Sequence, residues 1–122
     1  MSNPLLGTQF KRKKYGNNPM SYNGSWYQST KEGKHAMMLD TMKKAHNPAQ
    51  KVERWEKQVK VELDAYGKHI CNMYVDFRVW FADGHDEWHE IKSSITETPL
   101  YKIKEKMFRA KYPKHLYIVF KY

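Results

Sequence analysis

The chain is poor in cysteine, in acids relative to bases, in proline and glycine, and in long apolar runs. Its only cysteine, Cys71, excludes an intrachain disulfide and fits a reducing compartment. Next to Ile70 on an expected strand, it reads as a buried, inert thiol rather than a nucleophile. No run of apolar residues approaches the length of a membrane-spanning helix, and no amphipathic anchor accompanies the charge, so no membrane partner is expected. Near the start only Pro4-Leu5-Leu6 stands where a secretory leader would carry its apolar core, and the expected location is cytoplasmic. The five prolines and six glycines are scattered, with no repeat and no low-complexity tract.

What the chain has is size for one core, aromatic weight and positive charge. Its 122 residues fit a single domain, and 40% apolar with 15% aromatic content is a composition that folds. Lysine and arginine number 22 against 13 acids, a net charge of +9. Such an excess points to an anionic polymer, nucleic acid before membrane; the blander alternative is a basic soluble protein.

Residues 1–25 read as a basic arm, with Lys11, Arg12, Lys13 and Lys14 clustered ahead of breaker signals at Gly16-Asn17-Asn18-Pro19 and Asn23-Gly24. Laid along a phosphate backbone, such an arm adds salt-dependent affinity; otherwise it is a solvated tail. Residues 26–122 form the expected domain. A helix starts at Ser29 or Thr30, where Ser29 and Glu32 have capping-box spacing, and ends at Asn47-Pro48. Ala36, Leu39 and Met42 form its apolar face, widened by Met37, Met38 and Ala45. Residues 49–57 are ambiguous. From Gln58 to Tyr66 the sequence alternates as a half-buried strand, and Gly67-Lys68 is the expected turn into a strand over 69–81. A third strand spans 86–93 beyond Asp83-Gly84. The second helix, 100–111, places Leu100, Ile103, Met107 and Ala110 on an apolar stripe, with Lys102, Lys104, Lys106, Arg109 and Lys111 on its other faces. Leu116 to Phe120 is a last strand, parallel to its neighbour because a helix intervenes. The fold class is α/β: helix, three strands, helix, strand on one mixed sheet.

Tyr74 to Lys92 carries the chemistry. Asp76 interrupts a run of strong strand formers, and Glu90 and Lys92 interrupt the next strand with Ile91 between them. Residues two apart on a strand share a face, so a hairpin brings an Asp, a Glu and a Lys to one side of the sheet. Acids on a strand are usually solvated, with the lysine a cross-strand partner. A carboxylate at the centre of a small sheet is costly unless paired or coordinated, which suggests a divalent-metal site.

The pattern Val75-Asp76 followed by Glu90-Ile91-Lys92 resembles the motif of the PD-(D/E)XK nuclease superfamily. Ser29-Thr30-Lys31-Glu32 is similar to the S-x-x-E that opens many such domains, and Gln58-Val59-Lys60-Val61 resembles the polar-headed first strand of phage and transposase relatives. The order of elements, with a lysine-rich helix ending at Tyr112-Pro113, resembles small phage-encoded Holliday-junction resolvases of the endonuclease I type. Val75 replaces the proline of the motif, a position that supplies no ligand, and Ser93 stands where many relatives have glycine. The resemblance covers Ser29 to Phe120 and implies a restriction-endonuclease-like core.

It also implies roles. Asp76 and Glu90, with the carbonyl of Ile91, would hold Mg²⁺, with Mn²⁺ as a substitute and no small-molecule cofactor. Lys92 would stabilise developing charge on the phosphate, Glu32 would reach the metal or its water from the helix, and Gln58 would position water. Lys11 to Lys14 and the helix residues Lys102, Lys104, Lys106 and Arg109 would grip DNA. The implied function is a metal-dependent endonuclease acting on branched DNA as a homodimer, in the host cytoplasm if the chain is phage-encoded. The alternatives are a nicking or linear-duplex nuclease serving packaging, recombination or host-DNA breakdown, and a nuclease-fold protein that binds DNA without cutting it. His85, Asp86 and His89 offer zinc ligands in poor register, Glu53 and Glu56 flank Trp55 as lesser acids, and Tyr101 is open to either packing or DNA contact.

Overall fold

Two tight turns set the strand pairing in the computed structural model, which describes residues 18–92 and 97–122. Asn23-Gly24 and Tyr66-Gly67 both have left-handed backbones, with φ of 51° and 80° in the first and 53° and 77° in the second. That pair of values belongs to the hairpin turn whose twist matches the flanking strands. The first turn lies in the stretch 1–25 expected to be an arm and joins β1 (Met20–Tyr22) to β2 (Ser25–Tyr27), antiparallel, which runs past the end of that stretch. The second joins β3 (Val52–Ala65) to β4 (Lys68–Phe81), so the turn residues are Tyr66-Gly67, one position earlier than the expected Gly67-Lys68. Lys11 to Lys14 and Ser93 lie outside the described residues.

The chain divides into two compact units, Met1–Met38 and Leu39–Tyr122. In the first, Thr30 Oγ1 donates to the carbonyl of Asn18 at 2.9 Å. Ser29 caps α1 (Thr30–Met42) by accepting from the Glu32 N–H at 3.1 Å, as the capping pattern implied. Helix α1 stops short of Asn47. Lys43, Lys44 and Ala45 donate to carbonyls three residues back, so the last turn tightens and unwinds before the proline is reached. Ala36 and Leu39 are buried as expected, but Met37 and Met38 are exposed.

The second unit holds a four-stranded sheet in the order β3-β4-β5-β6, with β5 spanning Asp86–Lys92 and β6 Leu116–Lys121. The first two pairings are antiparallel and the last is parallel, so the sheet is mixed as expected. Helix α2 (Pro99–Lys111) supplies the crossover that a parallel pair requires. The ambiguous residues 52–57 belong to β3: a register shift between Val52 and Arg54 breaks the two-residue period there and hides the strand.

Helix α2 buries a different stripe from the one its aliphatic spacing suggested. Leu100 and Ile103 are exposed, while Tyr101 and Phe108 face the core with Met107 and Tyr112 beside them. Aromatic area decides the orientation: Phe108 meets Trp88 edge-on at 5.3 Å and Tyr117 at 5.1 Å. Burying such a ring contributes about 1.5–3 kcal/mol, and ring pairs of this geometry add about 0.5–1.5 kcal/mol beyond the area they bury. The same cluster includes Val61, Leu63, Met73 and Val75 from the β3–β4 hairpin. Phe77 instead packs edge-on against Trp55, whose indole N–H donates to Asp40 at 2.8 Å. Among the described residues, no helix is long and apolar enough to cross a membrane.

Candidate active site

The site forms where a strand ladder ends. Strands β4 and β5 are in register from Trp80↔Asp86 to Phe77↔His89. One residue further, side chains replace backbone partners. The Asp76 N–H donates to Glu90 Oε1 at 3.3 Å, and the Ile91 N–H donates to Asp76 Oδ2 at 2.8 Å. Each carboxylate thus satisfies a backbone donor on the opposite strand, and both are locked side by side below the surface. Asp76 is 8% exposed and Glu90 5%.

Two further side chains complete the cluster. Gln58 lies on β3 between the partner pairs Lys57↔Phe77 and Val59↔Val75, and its Nε2 donates to Asp76 Oδ1 at 3.0 Å. It does so from a left-handed backbone, φ 51°, in the middle of a strand. Non-glycine residues pay roughly 1–2 kcal/mol for that conformation. Lys92 Nζ stands 3.3 Å from Glu90 Oε2 and 4.0 Å from the centroid of the Tyr101 ring. The register thus brings together Asp76, Glu90 and Lys92, which the strand pattern singled out, and Gln58, which the resemblance implied.

The electrostatics reflect two carboxylates confined together. Burial raises the Asp76 pKa, against the opposing effects of the Ile91 N–H, Gln58 and Lys92. Burial and the charge of Asp76 push Glu90 up to about 7, with Lys92 pulling the other way. A single ammonium offsets part of this repulsion; a divalent cation between the carboxylates would offset more. The donors available are hard oxygens suited to Mg²⁺ or Mn²⁺. Among the described residues no three His, Cys, Asp or Glu side chains group to hold a metal, so remaining ligands would come from a carbonyl such as that of Ile91, from substrate and from water.

The other candidates have surroundings of their own. Glu32 is on the first turn of α1, in the other compact unit, where Ser29 Oγ donates to its carboxylate at 3.5 Å. Glu53 and Glu56 are exposed, and Glu56 accepts from Arg54 at 3.0 Å. His85 and His89 both turn Nε2 toward Glu87, at 2.9 and 2.8 Å, and His85 Nδ1 is bonded to Asp83. Glu87 therefore links the two imidazoles directly. Of the helix cations, Lys102 and Lys106 are exposed and Lys104 is half-buried, while Arg109 is bound twice to Glu105. Lys111 turns back to β3, donating to the Glu62 carbonyl at 2.7 Å.

Tyr101 is the contact that sequence reasoning left undecided between packing and DNA. Its place two residues into a helix with Pro99 at the first turn is a legible signal for proximity to the end of β5, but nothing in the sequence specifies a ring under Lys92. Comparisons with curated proteins and with solved structures gave no match. A family model described as "Protein of unknown function (DUF1064)" matches residues 12–121, and the chain therefore belongs to the DUF1064 family.

Proposed function

We propose that this protein is a Mg²⁺-dependent DNA endonuclease with a restriction-endonuclease-like core of the PD-(D/E)XK type, and that its substrate is branched DNA such as a Holliday junction. The observation that carries the reading is the reciprocal lock of Asp76 and Glu90 at the end of the β4–β5 ladder, with Lys92 3.3 Å from Glu90. A sheet made only for stability would fill these positions with apolar side chains, since two adjacent buried carboxylates oppose folding.

In this reading Asp76 and Glu90 hold the cation, and the Ile91 carbonyl is the third protein donor. A Mg²⁺ ion held by these residues would supply Lewis-acid polarisation of the scissile phosphate and a water of lowered pKa. Gln58 fixes the rotation of the Asp76 carboxylate through the bond to Oδ1, leaving Oδ2 on the Ile91 N–H. Lys92 places a positive charge beside the phosphate where negative charge grows in the transition state. Lys102, Lys104 and Lys106 on α2, with the Lys11–Lys14 cluster, give contacts to the DNA backbone that recognise shape rather than base sequence. Paired incisions on a junction call for a twofold homodimer.

The test is cleavage of a four-way junction and a matched linear duplex in Mg²⁺, Mn²⁺ and EDTA. Wild type is expected to cut the junction preferentially and only with metal, and Asp76→Ala and Lys92→Ala to bind it without cutting. Preference for the linear duplex would overturn the resolvase assignment, and binding without metal-dependent cleavage would overturn the enzyme.

A further inference from the structure

The Lys92 ammonium has two neighbours of opposite usefulness. Glu90 Oε2, at 3.3 Å, belongs to a carboxylate that the proposed function assigns to the cation. The Tyr101 ring, whose centroid is 4.0 Å from Nζ, is assigned to nothing. That ring is held from both ends. At its base the Tyr101 N–H donates to Thr98 Oγ1, the N-cap of α2, at 3.1 Å. At its tip the hydroxyl is 2.9 Å from the hydroxyl of Tyr117, a β6 residue paired with Trp88 of β5. Both rings are buried, and burial raises the pKa of both phenols, so neither is a charged partner for the lysine.

We infer that Tyr101 is a positioning residue whose ring face holds the Lys92 ammonium in place for catalysis; this rests on the nuclease reading above. A carboxylate oxygen shared with a divalent ion has less attraction left for an ammonium. An aromatic face attracts a cation through its quadrupole, and it is no ligand for a hard metal ion. The ring is therefore the anchor that persists when Glu90 is engaged. It confines a four-carbon side chain that otherwise samples many rotamers, and holds Nζ beside the carboxylate pair rather than in solvent.

The experiment compares Tyr101→Leu, Tyr101→Phe and Tyr117→Phe with wild type on one junction substrate in Mg²⁺, separating kcat from KM. Leucine fills much of the space but has no ring face. Both phenylalanine variants lose the hydroxyl pair while keeping the ring over Lys92. Tyr101→Leu is expected to lower kcat about tenfold with KM changed less than about threefold, and both phenylalanine variants to stay within about threefold of wild type. The Lys92 ε-methylene protons, read by NMR without any cleavage, are expected to be shifted upfield by the ring in wild type and Tyr101→Phe and not in Tyr101→Leu. Wild-type kcat in Tyr101→Leu, an equal loss in Tyr101→Phe, or Lys92 ε-methylene protons with no upfield shift in wild type overturns the inference, and the wild-type shift decides it even if the leucine variant fails to fold. Wild type that does not cut DNA overturns the nuclease reading instead, and this inference with it.

Discussion

Glu90 shows what the fold tolerates in order to keep its site. Its pKa is raised from 4.5 to about 7, so the folded chain holds this proton more tightly than the unfolded chain does. For a raised acid, stability falls as pH climbs from the unfolded value to the folded one and is level above it. Asp76 is shifted in the same direction and adds to the loss. At about 1.4 kcal/mol per unit, Glu90 removes up to about 3 kcal/mol from the metal-free protein between about pH 5 and pH 8. Glu90→Gln is therefore expected to be more stable than wild type at about pH 8 in EDTA, with the difference shrinking toward about pH 5. Urea unfolding at both pH values checks this, and a variant less stable at the higher pH contradicts it.

Gln58 tests strain at the same scale. Gln58→Ala and Gln58→Gly both delete the amide that donates to Asp76, but only glycine is at ease at φ 51°. The glycine variant is expected to exceed the alanine variant in stability by about 1 kcal/mol, and both to cut DNA more slowly than wild type. Chemical denaturation and cleavage rates together read this out. The acids and the lysine were legible in the sequence because each interrupts a run of strand formers at an interval that pairing converts to proximity. The left-handed backbone at Gln58 was not, because glutamine carries no signal for it and neighbouring charges gave an ordinary alternation.

Among elements, legibility depended on whether the local signal was also the one that packing used. Asn-Gly at 23–24 is a strong hairpin signal and forms the β1–β2 turn. Tyr66-Gly67 does the same work with an unsuited first residue: the Tyr66 side chain is fully exposed and its φ is 53°. Tyr66→Asn is expected to raise stability by about 0.5–1 kcal/mol, measured by thermal or urea unfolding, because asparagine accepts the left-handed region more readily. A lower stability would show that tyrosine packs in a way its exposure does not suggest. The misread stripe of α2 has a plain cause. Leu100, Ile103, Met107 and Ala110 have helical spacing, but Tyr101 and Phe108 bury more area, and the helix turns to bury them. Periodicity identified the helix and left its rotation open between two adjacent stripes.

For the whole molecule, the excess of 22 bases over 13 acids is what motivates the proposed polyanionic partner. The structure refines which bases are available. Arg109 is engaged by Glu105 and Lys111 by β3, whereas Lys102 and Lys106 are exposed on α2. Replacing Lys102 and Lys106 by alanine is expected to reduce the slope of log affinity against log salt by about 2 for duplex arms, roughly 0.9 for each lost phosphate contact. Binding titrations at several salt concentrations give the slope, and an unchanged slope would remove α2 from the proposed DNA interface. The order and mixed pairing of the main sheet were legible from alternation, turns and one crossover helix. The extent of β3 and the end of α1 were not, since a register shift in one and a tightened last turn in the other leave no compositional trace.

The central claim is that Asp76, Glu90 and Lys92 form a metal-dependent centre for cutting DNA. It is tested most directly on supercoiled plasmid, which reports a single phosphodiester break whatever the preferred junction. Wild type in Mg²⁺ is expected to convert supercoiled DNA to the nicked form, and wild type in EDTA and Asp76→Asn in Mg²⁺ to leave it intact. Supercoiled DNA that survives wild type in both Mg²⁺ and Mn²⁺, or nicking that persists in Asp76→Asn, would contradict the account.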